Sequence, residues 1–276
     1  MKAPNTPEPP PKPRERPERA GPMSAQVGFG FDEGHDEERA RSHEVDPTPA
    51  AVVAQGLSTF ARRHLRRLAQ RHSVRLLDPC AGSGVFGQQA HRVFDGAERT
   101  AVEIRPEEEP WLRRNYDKYR IGNALELVPQ MGPSFDLAST NPAFTLTIEL
   151  LPLLLACVRA GGHVLLFGLN ELGSRGAASR ALWRRYPPRE QWRVFGTIKF
   201  RNGINPSTGK PWGADMRSYS WWLWESDGNG GARPYDVDDT TARRTIELPE
   251  LDSALRRWST VPGREDAEQI YRGNAC

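Results

Sequence analysis

The amino-acid sequence predicts an α/β fold: a seven-stranded, mostly parallel sheet with helices on both faces and an antiparallel hairpin at its C-terminal end. Three observations carry this expectation. Short apolar runs alternate with helical stretches, as they do where a parallel sheet is covered by helices. A glycine turn follows the first apolar run directly. The last two apolar runs are aromatic-rich and joined by a polar loop holding Asn202, Gly203, Asn205, Pro206, Gly209 and Gly213, which suits a hairpin.

In chain order, residues 1–47 are dominated by Pro, Glu, Arg and Asp. A segment so poor in apolar side chains cannot offset its ordering entropy, so a disordered tail is expected. From Pro49 the pattern turns helical: Val52, Val53, Leu57, Phe60, Leu65 and Leu68 share one face, Arg62, Arg63, Arg66, Arg67 and Arg71 fill the other, and Asp46 or Thr48 is placed to cap. Strands are expected at residues 74–77, 100–104, 120–121, 135–138 and 163–167, with helices at 85–93, 107–115, 125–128 and 147–159 between them. The hairpin strands fall at 192–200 and 219–225. One domain spanning residues 48–227 accounts for this pattern. Residues 228–276 read as a mostly irregular extension with at most a short helix at 251–258.

Composition narrows the function classes. The net charge of +3 argues neither for nor against a nucleic-acid partner, so any basic footprint must be local. Cys80, Cys157 and Cys276 have neither metal-ligand spacing nor the density of a disulfide framework, so no metal is expected and the chain reads as reduced and cytoplasmic. The most apolar stretch, residues 148–158, is too short to cross a bilayer; a buried helix is expected there and no membrane partner.

The first strand ends in Asp78 and runs through Pro79, Cys80, Ala81, Gly82, Ser83 and Gly84 into a helix. In an open α/β sheet that edge binds ligands, and the glycines let backbone approach a ligand closely. Glu103 closes the next strand about 20 residues on, the separation at which a carboxylate accepts ribose hydroxyls. Together they favour an adenosine-containing cofactor in a Rossmann-like frame. A pyrophosphate is disfavoured, because Asp78 puts negative charge where it would sit; a cationic amino-acid tail suits that carboxylate better.

These residues resemble the class I S-adenosylmethionine-dependent methyltransferases, over about residues 48–225. The resemblance implies that Asp78, Ala81, Gly82 and Gly84 line the methionine part of S-adenosylmethionine, that Glu103 holds its ribose, and that Asn123 and Ala124 lie beside its adenine. Asn123 stands where relatives often have Asp. Thr48 and Pro49 look like the segment that many amino-methyltransferases place ahead of the fold to cover the methionine carboxylate.

The fourth strand ends in Asn141-Pro142-Ala143-Phe144, which resembles the Asn/Asp-Pro-Pro-Tyr/Phe motif of methyltransferases acting on planar nitrogen. The chemistry explains the residue types. An amino nitrogen conjugated into a base is a poor nucleophile. If the Asn141 side-chain oxygen and the Pro142 carbonyl each accept one amino hydrogen, its lone pair is left pointing at the methyl group. Phe144 stacks on the base, which a duplex must flip out. The departure is Ala143, which frees φ where the motif has a second proline.

Adenine N6 in DNA is the expected acceptor. RNA (adenine N6 or guanine N2), cytosine N4, a protein glutamine, or a cofactor-binding module without turnover remain alternatives. Cytosine C5 chemistry needs a thiolate, and none of the three cysteines stands where one is wanted. For nucleic-acid contact the loop carrying Lys199, Arg201, Lys210, Trp212 and Arg217 mixes cations with an aromatic near the base-entry edge; Trp221, Trp222 and Trp224 read as core. With no insertion of target-recognition size, the layout resembles small stand-alone DNA adenine methyltransferases of phages and mobile elements.

Overall fold

The computed structural model describes residues 48–68, 73–174, 176–200, 204–205, 208–211, 213–233 and 244–248. The expected tail 1–47, the helix at 251–258, Arg71, Arg201, Trp212 and the side chains of Arg66 and Arg67 lie outside the described residues.

Helix α1 (Ala50–Leu68) precedes β1 (Arg75–Asp78), α2 (Val85–Val93), β2 (Glu98–Glu103), α3 (Glu109–Asn115), β3 (Lys118–Ile121), α4 (Ala124–Leu127) and β4 (Phe135–Thr140). Then come α5 (Thr147–Cys157), β5 (Val158–Leu169), α6 (Gly176–Arg185), β6 (Glu190–Val194), the two-residue pair β7 (Ile204–Asn205) and β8 (Lys210–Pro211), β9 (Tyr219–Glu225) and β10 (Arg244–Glu247). The main sheet has eight strands in the order β10-β6-β9-β5-β4-β1-β2-β3. All pairings are parallel except those of β9, which is antiparallel to both β5 and β6. This is a Rossmann-like α/β sheet.

The expected antiparallel hairpin lies at the end of the sheet, its strand β9 between β5 and β6 and its run Tyr-Ser-Trp-Trp-Leu-Trp-Glu buried throughout. The sheet also gains β10, from the stretch expected to be irregular, parallel to β6. Helix α6 was likewise not foreseen. Among the described residues no helix is long and apolar enough to cross a membrane.

Alternation along the strands divides the core in two. Leu76, Leu137, Leu165, Phe167 and Trp221 face α1 and α2, while Leu77, Ala138, Val164, Leu166 and Trp222 face α5 and α6. Trp221 and Trp224 are fully buried, and the indoles of Trp222 and Trp224 donate to the carbonyls of Leu169 and Tyr186, so the three tryptophans are structural. On the first face, Val52, Val53, Leu57 and Phe60 dock α1 onto the sheet, and the bare backbone of Gly56 admits the Trp221 ring. A second tie is ionic. Arg63, expected either to follow phosphates or to lie on a solvated face, donates to Glu190 at 3.0 Å, and Glu190 also accepts from the Trp192 indole at 2.7 Å. Burial pushes the Glu190 carboxyl up, but hydrogen bonds from His64, Arg63 and Trp192 outweigh it and hold the group down at about 2.

Replacing Gly56 tests the docking. An alanine in a helix interior gains about 1 kcal/mol over glycine in open space. Here its Cβ would lie 2.3 Å from Trp221 Cε2, and overpacking of that kind costs roughly 1–3 kcal/mol or more. Gly56→Ala is therefore expected to lower the urea midpoint despite its better helix propensity; an unchanged or higher midpoint refutes the tight contact.

Candidate active site

Strands β1 and β4 are neighbours, with Leu77 opposite Ala138, so the segments that follow them leave the sheet side by side at its C-terminal edge. The first is the glycine turn. Gly82 and Gly84 have φ of +50° and +84°, a region that favours glycine, and a Cβ on Gly84 would lie 2.7 Å from the Asn115 amide. The turn is closed by the Ala81 N–H donating to Val102 and the Gly84 N–H to Ala81.

Two acids stand behind it. Asp78 is fully buried and accepts from the Tyr116 hydroxyl at 2.5 Å. Burial drives its carboxyl up to about 7; hydrogen bonds from Tyr116, Thr140 and the Cys80 N–H oppose the rise, and the Glu103 charge adds to it. Tyr116 in turn accepts the Gly87 N–H at 3.0 Å. Glu103, also buried, accepts the Gly82 N–H at 2.6 Å on one oxygen and the Arg105 N–H and Nε–H at 3.1 and 2.9 Å on the other. Glu103 thus clamps the turn and carries a guanidinium at the edge. A carboxylate has about four lone-pair sites, so one further donor can still be accepted without displacing these three.

The second segment is the tetrapeptide. Asn141 Nδ2 donates to Thr48 Oγ1 at 2.8 Å. The Ala143 carbonyl accepts the N–H groups of Leu146 and Thr147 at 3.0 and 3.2 Å, which starts α5 and fixes the loop where a second proline is absent. No hydrogen-bond donor among the described residues reaches the Pro142 carbonyl. Phe144 is half-buried, packs against both cores, and has the Arg217 guanidinium 5.8 Å from its ring centre. Arg217 is itself held by Asp215, to which its backbone N–H donates at 2.8 Å and its side chain at 2.5 to 3.0 Å, and Asp215 accepts the Tyr219 hydroxyl at 2.8 Å.

The expected residues therefore divide. Thr48, Asp78, Ala81, Gly82, Gly84, Glu103, Asn141, Pro142, Phe144 and Arg217 belong to one edge. Asn123 stands at the N-terminus of α4, where its side chain accepts the Leu125 N–H at 3.0 Å, with Ala124 buried behind it. Lys199 and Lys210 are exposed, Lys210 on the small β7–β8 sheet. Tyr116, Arg105, Asp215 and Tyr219 were not anticipated. Only Tyr116 left a trace: Gly87 stands inside helix α2, where a Cβ would sit 2.6 Å from the Tyr116 ring. Burial raises the thiols of Cys80 and Cys157, the latter to about 12, so neither is a ready thiolate.

No family model matches the chain, and no curated protein does. Among solved structures it is similar to the methyltransferase subunit of a type I restriction-modification system from Streptococcus thermophilus, at 13% identity over 77% of this chain and 53% of that one, with a TM-score of 0.49. It is also similar to the M protein of the type I restriction enzyme EcoKI (13% identity, 78% of this chain and 53% of that one, TM-score 0.48). A third is a proposed RNA methyltransferase from Pyrococcus horikoshii (17% identity, 63% and 83%, TM-score 0.45). The chain spans about half the length of the two restriction-system proteins. The fold assignment itself follows from the strand order and register.

Asp78 has a measurable pH signature. Folded, it keeps its proton up to about pH 7; unfolded, it releases it near 3.8. Folding therefore takes up a proton between those values, and burial of this group weakens the fold progressively as pH rises from 4 to 7. Asp78→Asn, which can still accept from Tyr116, is expected to unfold at higher urea than the native chain at pH 8, with the two converging near pH 4. A gap that is constant with pH contradicts the assignment.

Proposed function

We propose that this chain is an S-adenosylmethionine-dependent methyltransferase acting on an exocyclic base amine, adenine N6 in DNA by preference and RNA second. The observation that carries the reading is the pairing, on adjacent strand ends, of a glycine cradle backed by a buried acid with an Asn-Pro pair whose Asn141 Nδ2 is held by Thr48 and whose Pro142 carbonyl takes no donor among the described residues. The cradle fits the cofactor: Gly82 and Gly84 carry the turn at positive φ, the buried Asp78 has no cation beside it among the described residues, and Glu103 retains capacity for a ribose hydroxyl. Asp78, Ala81, Gly82 and Gly84 hold the methionine part, Thr48 and Pro49 close it, Glu103 takes the ribose, and Asn123 and Ala124 flank the adenine. Bound there, S-adenosylmethionine supplies a methyl group already activated by a sulfonium.

The protein's contribution is then positioning and electrostatics. Asn141 Oδ1 and the Pro142 carbonyl each accept one amino hydrogen, which pulls the nitrogen out of conjugation and turns its lone pair outward. Phe144 holds the base plane, a stack worth roughly 1–3 kcal/mol. The amine becomes more acidic once alkylated and loses its proton to solvent, so no strong base is needed at the start. Arg217, fixed by Asp215 beside Phe144, meets the negative charge of the strand. Lys199 and Lys210, both exposed, extend the same footprint.

The purified chain incubated with methyl-labelled cofactor is expected to label DNA more than RNA and to leave protein unlabelled. Label in protein alone overturns the reading. Asn141→Ala should keep cofactor affinity within about threefold while losing transfer by roughly 10²-fold or more, whereas Asp78→Ala should lose cofactor binding itself. Arg217→Ala should raise KM for nucleic acid about tenfold, equivalent to about 1.4 kcal/mol, with cofactor affinity unchanged; a fall in kcat alone would refute a role in strand binding.

A further inference from the structure

A primary amide can present either of two faces to a ligand. Its oxygen accepts hydrogen bonds and its NH₂ donates them, and rotation by 180° about the last side-chain bond exchanges the two. For Asn141 this choice decides what the site can hold. With the oxygen outward, Asn141 and the Pro142 carbonyl form a pair of acceptors suited to an amine with two N–H bonds. With the NH₂ outward, the same position repels an amine and attracts a carbonyl or a ring nitrogen.

The structure contains a device that makes the choice. Asn141 Nδ2 donates to Thr48 Oγ1 at 2.8 Å. Thr48 is 7% exposed and belongs to the turn that opens α1, where the Pro49 carbonyl accepts the N–H groups of Val52 and Val53 at 2.9 and 3.2 Å. Its place is set by a helix nailed to the sheet through Val52, Val53, Leu57 and Phe60 and through the Gly56–Trp221 contact. A hydroxyl can both donate and accept, so Thr48 alone would tolerate either face of the amide; Nδ2 is the atom it holds.

We infer that Thr48 is a positioning residue that sets the hydrogen-bond polarity of the acceptor site, holding the Asn141 amide nitrogen so that Oδ1 is presented to the methyl-accepting amine. The inference rests on the function proposed above and deepens it. Selectivity for an amine over an isosteric oxygen is assigned to a residue 93 positions away in sequence. Accepting from Asn141 occupies one lone pair of the Thr48 hydroxyl and leaves its O–H proton available to donate. The positioning role is distinct from a direct contact between that hydroxyl and the methionine carboxylate, and the two are separated by the substitutions that follow.

Two substitutions test it. Thr48→Val keeps shape and removes the acceptor; Thr48→Ser keeps the acceptor and removes the methyl group. In ¹⁵N-labelled protein without ligand, the Asn141 side-chain NH₂ resonances, assigned by their loss in Asn141→Ala, are expected to be protected from exchange in native and Thr48→Ser protein. They should exchange at least tenfold faster in Thr48→Val, as a lost hydrogen bond requires. In single-turnover assays Thr48→Val should slow transfer to an adenine-containing strand by about 10²-fold, with S-adenosylmethionine affinity within threefold of native and Thr48→Ser restoring most of the rate. Equal protection in all three proteins overturns the inference. So does a Thr48→Val defect confined to cofactor affinity, which would make the hydroxyl a cofactor ligand. If the native chain labels no nucleic acid, the proposed function fails on its own, while the exchange measurement still decides whether Thr48 holds the amide.

Discussion

The contact on which the rest depends is that of the Trp221 indole with the bare backbone of Gly56. It lets α1 lie flat on the sheet, and it does so from the strand, β9, that runs against its neighbours. Because α1 is seated there, its first turn reaches the C-terminal edge, Thr48 meets Asn141, and Arg63 meets Glu190 on β6. A helix that precedes the sheet in sequence thereby becomes one wall of its active edge. Helix propensity alone would disfavour the glycine; the packing it permits is worth more.

At that edge the two buried acids are handled in opposite ways. Glu103 is given donors, the Gly82 N–H and the Arg105 side chain, and serves as a clamp that shapes the turn. Asp78 accepts from Tyr116, Thr140 and the Cys80 N–H, but burial outweighs them, so its charge is held back. A nearby cation favours the charged form of a group kept near neutrality by burial, which is why the proposed reading sets Asp78 against the cofactor's cationic tail.

Much of this was legible because it is local. The glycine turn, its acid and the tetrapeptide are contiguous runs whose spacing to the strands is read directly, and helix α2 falls on the expected residues 85–93. What escaped was non-local or weakly patterned. Helix α6, Gly-Ala-Ala-Ser-Arg-Ala-Leu-Trp-Arg-Arg, carries only Leu182 and Trp183 as large apolar anchors, too few for a period to show. Strand β10 offers a single Ile246. The hairpin was legible as a pair; which of its strands lies against β5 depends on which edges remain unfilled elsewhere. Arg63 looked like its neighbours Arg62 and Arg66 because its partner lies 127 residues on. Tyr116, 38 residues from Asp78, had no motif to announce it beyond an awkward glycine.

The antiparallel course of β9 has an architectural consequence. A strand that runs against its neighbours begins where they end, so the segment feeding it, residues 195–218, arrives at the C-terminal edge and delivers Asp215 and Arg217 next to Phe144. The loops after β1 and β2 arrive at the same edge from the other half of the sheet and carry the cradle. One rim of the protein is thus assembled from two independent sources. The feeding segment has its own anchor, since Ile198 is buried in the core and bridges to Asp215, so each half of the rim is tied to the sheet by separate contacts.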